Sequence, residues 1–305
     1  MLRLAHLSDP HLGPLPDPKL IQLFSKRILG YLNWRRNRSG AMGGNHLEQL
    51  VADMKAQSPD HIAVTGDLVN IALPLEIIGA RDWLEEVGPS DFVSVVPGNH
   101  DAYVPGALKK AREAWADYMT GDETKAGSET GAQPTFPYVR RRGDIAIVGV
   151  STARASGPWF ATGRVGSAQA KRLRATLEDL GKQNLFRVVM IHHPPFRNAT
   201  HWHKRLSDAS RVRAVIKKAG AELVLHGHTH IDSRAHIEGP TGPVPVIGVP
   251  SATNAPGGKK PGARYNLFSI DRENGEWSCR LTERGFTTSG EAISTIANEA
   301  IVIPS

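Results

Sequence analysis

With 305 residues, 40% hydrophobic and 22% charged, the chain has the composition of a soluble globular protein and is long enough for one large α/β domain. No run is long enough to span a membrane, and the chain enters an apolar strand at once without a basic-then-apolar leader, so a cytoplasmic location is expected. The single cysteine, Cys279, excludes an internal disulfide and reads as a buried structural thiol, while the formal charge of +7 favours an anionic partner.

Leu2 to Ser8 predicts a first central strand whose exit is Asp9-Pro10-His11, where two residues of ligand type, two apart, can turn toward one ion. The excess charge follows directly. Between Pro14 and Asn45 six basic residues (Lys19, Lys26, Arg27, Arg35, Arg36, Arg38) stand against one acid, Asp17. Asp17-Pro18 is a good helix start, and Leu20, Phe24, Ile28 and Tyr31 or Leu32 follow at helical spacing. This segment is either a basic amphipathic helix packed on the body of the domain or a cap over the site that touches a membrane surface or an acyl chain. A helix is predicted over 46–57, with His46 and His61 as surface or boundary histidines. A second strand over 60–67 ends in Gly66-Asp67. After a helix over 75–87, the β-branched run 92–96 closes at Pro97-Gly98 and leaves Asn99, His100 and Asp101 on the loop at its carboxyl end.

A helix is predicted over 105–119, a polar loop over 121–134, and a hairpin over 138–150 turning at Gly143-Asp144. Residues 151–165 lack periodicity and carry Trp159 and Phe160, as a loop near a substrate would. A helix from Ser167 to Leu180 precedes a strand over 186–191 that ends in His192-His193-Pro194-Pro195, where the prolines forbid continuation. Arg197, His201, Trp202, His203, Lys204 and Arg205 then form either a solvated loop or a wall against substrate phosphate. A helix over 212–219 and a strand over 222–225 lead to His226-Gly227-His228-Thr229-His230, with His226 as core or as a support behind the ligands and the other two as ligands. The strands predicted over 233–237, 245–249, 265–271 and 277–282 suggest a second, antiparallel-rich sheet, and 287–305 reads as a tail.

Five strand ends thus offer Asp9, His11, Asp67, Asn99, His192, His228 and His230 to a common edge, a donor set suited to two divalent ions sharing one carboxylate. Read in order, Asp9-x-His11, Gly66-Asp67, Gly98-Asn99-His100-Asp101, His192 and Gly227-His228-x-His230 resemble the motif set of the calcineurin-like metallophosphoesterases. The Gly-Asn-His-Asp and His-His-Pro-Pro forms are most similar to the bacterial branch of cyclic-nucleotide and related phosphodiesterases.

The resemblance implies a four-layer α-β-β-α sandwich over residues 1–286, with two mixed β-sheets, a basic insertion at 14–45 and a binuclear site at the strand ends. It implies that Asp9, His11 and His230 hold one ion (Mn, Fe or Zn), that Asn99, His192 and His228 hold the other, and that Asp67 bridges them. His100 would be the catalytic acid facing the phosphate, with Asn99 and His193 also near substrate. Many members carry a carboxylate that orients this histidine at the position of Asn70, so here an amide would do so without charge. The implied activity is in-line hydrolysis of a small phosphodiester such as a cyclic nucleotide. The alternative is a pyrophosphatase or diesterase of a lipid-linked or nucleotide-sugar substrate at an anionic membrane surface. A nuclease is disfavoured because no separate nucleic-acid module is visible, and a non-catalytic scaffold because all seven ligand positions are present.

Overall fold

Runs that are apolar at every position, such as 145–150 and 188–191, become strands covered on both faces. They lie in the second of two mixed sheets of a computed structural model that describes residues 1–23, 25–37, 45–125, 135–287 and 292–304. Phe24 and Arg38 of the basic segment, and most of the polar 121–134 loop, lie outside the described residues.

The first sheet has the order β12 (Ile293–Ala300), β11 (Glu276–Phe286), β10 (Arg264–Glu273), β1 (Leu2–Leu7), β2 (His61–Val64) and β3 (Val93–Val95). Its β1, β2 and β3 run parallel, and the other half is antiparallel, with Leu4 opposite Phe268. The second sheet has the order β4 (Tyr138–Arg142), β5 (Ile145–Val150), β6 (Phe186–Ile191), β7 (Leu223–His226), β9 (Pro243–Gly248) and β8 (Ser233–Glu238), parallel from β5 to β9. The expected second antiparallel sheet is therefore divided. Its first two strands close one sheet and the later ones extend the other, and the segment read as a tail supplies the edge strand β12.

Alternation assigns each face. In β5, Ile145 and Ile147 point between the sheets, while Ala146, Val148 and Val150 meet α7 (Ser167–Lys182) and α8 (Ala209–Ala219). On the first sheet α3 (His46–Ala56) contributes Leu50 and Met54, α4 (Pro74–Val87) contributes Ile77 and Leu84, and α5 (Ala107–Ala114) contributes Ala111. The result is the four-layer helix–sheet–sheet–helix sandwich. Each fully buried aliphatic side chain adds roughly 1.5–3 kcal/mol, which is what lets parallel strands of only three or four residues persist.

Two features were not foreseen. His61 is fully buried: it meets Ser94 Oγ at 2.7 Å through Nε2, and Arg142 Nε donates to its Nδ1. Arg140 is also fully buried, donating to the carbonyls of Ser90, Val93, Asp117 and Thr120 and so fastening the edge of one sheet to the loops of the other.

The single helix expected after Asp17-Pro18 is broken into α1 (Leu20–Leu23) and α2 (Arg27–Asn37). At the break Lys26 Nζ reaches Phe160 O at 2.6 Å and Ser156 Oγ at 3.2 Å, while Arg27 donates to the carbonyls of Ile71 and Ala72. These two cations thus anchor the segment as a strap across the domain. The short α6 (Asp122–Lys125) precedes the 126–134 gap.

Candidate metal centre

The carboxyl ends of β1, β2, β3, β6 and β7 converge, and their backbones turn sharply there. Asp9, His11, Asp67, His228 and His230 all have positive φ, between 40° and 70°. Non-glycine residues avoid this region unless the surroundings hold them in it, so the strain is concentrated on the residues of ligand type. Close packing of the loops adds a second constraint. A Cβ at Gly98 would collide with the Asp67 carboxylate, and one at Gly227 with Ser8 Oγ and Asp9 Oδ2.

Hydrogen bonds to main-chain carbonyls fix which ring nitrogens bear protons, because a carbonyl can only accept. His11 Nδ1 donates to Val69 O and His192 Nδ1 to Thr65 O, so each ring turns an Nε2 lone pair inward. Those lone pairs meet other acceptors. His192 Nε2 lies 3.2 Å from Asn99 Oδ1 and 3.4 Å from Asp67 Oδ2, and the same Asp67 oxygen is 3.9 Å from His11 Nε2. His11 Nε2 is 3.3 Å from His230 Nε2, which is 3.0 Å from Asp9 Oδ1. That oxygen, wholly buried, has no hydrogen-bond partner. Asp9 Oδ2, by contrast, is satisfied by Ser8 Oγ and His228 N.

Acceptors crowded together repel unless a proton or a cation lies among them. The donor set therefore fits divalent ions of borderline softness. Among the described residues, candidate ligand atoms gather in four groups: Asp9, His11 and His230; Asp9, Asp67 and His192; His11, Asp67 and His100; and His192, His193 and His228. Asp67 reaches both sides.

Burial alone would raise the Asp67 carboxyl, but the rings of His192 and His100 beside it hold it well below the usual carboxylate range. Burial likewise lowers His192, yet the Asp67 charge overrides this and raises it to about 9. Without metal, a proton on His192 takes up part of the charge that a cation would supply.

Asp101 belongs to the strand-end motif but had no assigned role. It is fully buried, and its carboxylate accepts from the backbone N–H groups of Gly98, Asp67, Leu68 and Val69 at 2.8–3.2 Å, tying the loops after β2 and β3 together. Asp101→Asn would turn an amide donor toward these donors. The expected cost is ~2–4 kcal/mol, read as a lower urea midpoint with unchanged slope. Wild-type stability would show that the four bonds do not hold the loops.

His100 lines the pocket beside the centre, with Nδ1 bonded to the backbone carbonyl of Asn70 and Tyr103 stacked on its ring at 5.4 Å. Asn70 holds this ring through its main-chain oxygen, while its amide Nδ2 donates to the carbonyls of His11 and Leu12. His193, expected at the substrate, is relocated. It is fully buried, with Nδ1 on Thr152 Oγ1 and Nε2 on Ala161 O, and burial first, then His228 and His192, keeps it neutral. It supports the 161–163 loop instead. His226 is core as expected, bonded to Ser233 Oγ and Gly227 O.

The pocket has a volume of about 370 Å³. Its floor is Asp67, Asn99, His100, His228 and His230. The strap supplies Leu29 and Trp34, and the facing loop supplies Trp159 and Phe160. Lys204 and Lys260 add positive charge.

A family model described as calcineurin-like phosphoesterase matches residues 2–232. No curated protein matches the chain. Among solved structures, a dimetal phosphatase from Danio rerio is 12% identical, with a TM-score of 0.60 over 99% of this chain and 98% of that one. A purple acid phosphatase from yellow lupin is 13% identical, with a TM-score of 0.54 over 96% of this chain and 52% of that one. An NAD nucleotidase from Haemophilus influenzae is 12% identical, with a TM-score of 0.50 over 99% and 50%. These likenesses show a shared fold.

Proposed function

The chain belongs to the calcineurin-like phosphoesterase family, and from that premise we propose that it is a metal-dependent phosphodiester hydrolase. The observation that carries this is the convergence of the Asp9, Asp67 and Asn99 oxygens with the rings of His11 and His192, behind a pocket that Asp67 and Asn99 line. Asp9, His11 and His230 would hold one ion, Asn99, His192 and His228 a second, and Asp67 both. Mn, Fe and Zn all suit these mixed donors. When bound, two such ions polarise the phosphate oxygens and acidify a water for in-line attack.

The chain's own groups would supply the rest. His100, held at Nδ1 by Asn70 O, would present Nε2–H to the leaving alkoxide. Lys204 and Lys260 would attract the phosphate, and the Tyr103, Trp34 and Phe160 rings would narrow the space left for bulk water.

The substrate is in the first instance a small phosphodiester, such as a cyclic nucleotide. A lipid-linked or nucleotide-sugar diester or pyrophosphate is favoured by a separate observation: the apolar walls from Leu29, Trp34, Trp159 and Phe160 exceed what a phosphate and ribose need. One substrate panel tests the class: 3',5'- and 2',3'-cyclic nucleotides, glycerophosphodiesters, UDP-linked lipids and single-stranded DNA. It should be run after chelation and again with Mn²⁺. Hydrolysis of at least one diester or pyrophosphate, abolished by chelation and restored by Mn²⁺, is expected. Undiminished turnover in stripped protein, or hydrolysis of phosphomonoesters alone in a parallel assay, would sink the proposal.

A further inference from the structure

On the strap that borders the pocket and on the loops it touches, large apolar side chains stand in solvent. On the strap Leu20 and Ile21 are 81% and 78% exposed, and Ile28 and Leu32, one turn apart on α2, are also exposed. On the facing loops Trp159 is 76% and Trp202 65% exposed. Two contacts join these segments into one rim. Lys26 Nζ bonds Phe160 O, and the Phe160 ring meets Trp202 edge-on at 5.4 Å.

The arrangement of α2 is informative. Its Leu29 and Trp34 line the pocket while Ile28 and Leu32 point away from it, so a short helix is apolar both inward and outward. A helix of that kind needs a second apolar partner on its outer side. Trp159 has φ 70°, a conformation that bulky residues avoid, and the strain is spent on holding an indole outward.

Charge decides between occupants. Lys26 and Arg27 are turned inward onto carbonyls, but Lys19 adjoins Leu20, Lys204 and Arg205 follow Trp202, and all three are exposed with no acidic partner among the described residues. The cores of protein–protein interfaces are depleted of lysine, whereas tryptophan beside Lys and Arg is the composition of a membrane–water seat. No helix among the described residues is long and apolar enough to cross a membrane.

We propose that this rim docks the protein on an anionic bilayer surface, so that the pocket receives a phosphoester whose acyl chains remain in the lipid. The substrate half of the proposal rests on the phosphodiester-hydrolase reading, and the docking half does not.

Flotation of the full chain tests it, using vesicles of phosphatidylcholine alone and of phosphatidylcholine with about one third phosphatidylglycerol. Wild type should float with the anionic vesicles and not the neutral ones. Leu20→Ser/Ile21→Ser, at positions that bury almost nothing, should weaken that binding at least ~10-fold and leave turnover of a soluble chromogenic diester unchanged. Trp202→Ser should reduce fluorescence quenching by lipids brominated on their acyl chains. Wild type that ignores anionic vesicles at low salt would overturn the proposal, as would a double variant that binds equally well. A wild-type dimer made monomeric by the double variant would assign the rim to a second copy and overturn it too. Vesicle binding without hydrolysis of any ester would keep the dock and remove the enzyme reading. Hydrolysis of the soluble diester without vesicle binding would do the reverse.

Discussion

Asp67→Ala should abolish metal-supported hydrolysis and lower the metal content of the purified protein. One carboxylate stands at the centre of both candidate ion sites: Oδ2 lies 3.4 Å from His192 Nε2 and 3.9 Å from His11 Nε2, while Oδ1 accepts from His100 N at 2.7 Å. Removing it weakens both sites and releases the His100 loop. The loss should therefore exceed the ~10- to 100-fold typical of deleting a residue that only supports a ligand. The His192 proton, held near pKa 9 mainly by Asp67 against the lowering effect of burial, should also become easier to lose, since its opposing charge is gone. Elemental analysis and turnover are read together. A variant with two ions per chain and near-normal rate would mean that Asp67 does not bridge.

His100→Asn should leave metal content intact and slow turnover by ~10²- to 10⁴-fold, the range for a lost general acid. The geometry limits what the ring can do. Nδ1 is committed to Asn70 O, Tyr103 stacks on one face, and His11 meets the ring edge-on at 4.7 Å. The nitrogen that would serve the leaving group is then Nε2. The loss should accordingly depend on the ester. A diester that expels p-nitrophenolate needs little protonation and should suffer far less than one that expels an alkyl alkoxide. Equal losses for both would place His100 in phosphate binding, and a missing ion would make it a ligand.

The seven proposed ligand positions were legible in the chain because each follows an apolar run, and parallel strands deliver their carboxyl ends to one edge whatever the details of packing. Strand identity along β5 and over 188–191 of β6 was legible for a related reason, since burial on both faces demands continuous apolar runs. The strap was visible as a basic helical segment, though neither its break at Lys26 nor its lack of a single apolar face was, because the carbonyl that draws Lys26 out belongs to Phe160, more than a hundred residues away.

Other choices belonged to tertiary structure alone. Whether His193 faces the substrate or props a loop depends on Thr152 and Ala161, and His192 beside it has the same chemistry but the opposite fate. Asp101 looks like an ordinary turn residue until the loops after β2 and β3 bring four N–H groups to it. The group that orients His100 is a main-chain oxygen, which every residue carries and no sequence pattern can mark. Local pattern determined which residues reach the site edge. Long-range pairing decided what each of them touches, because hydrogen-bond partners and ring tautomers are set by atoms distant in the chain.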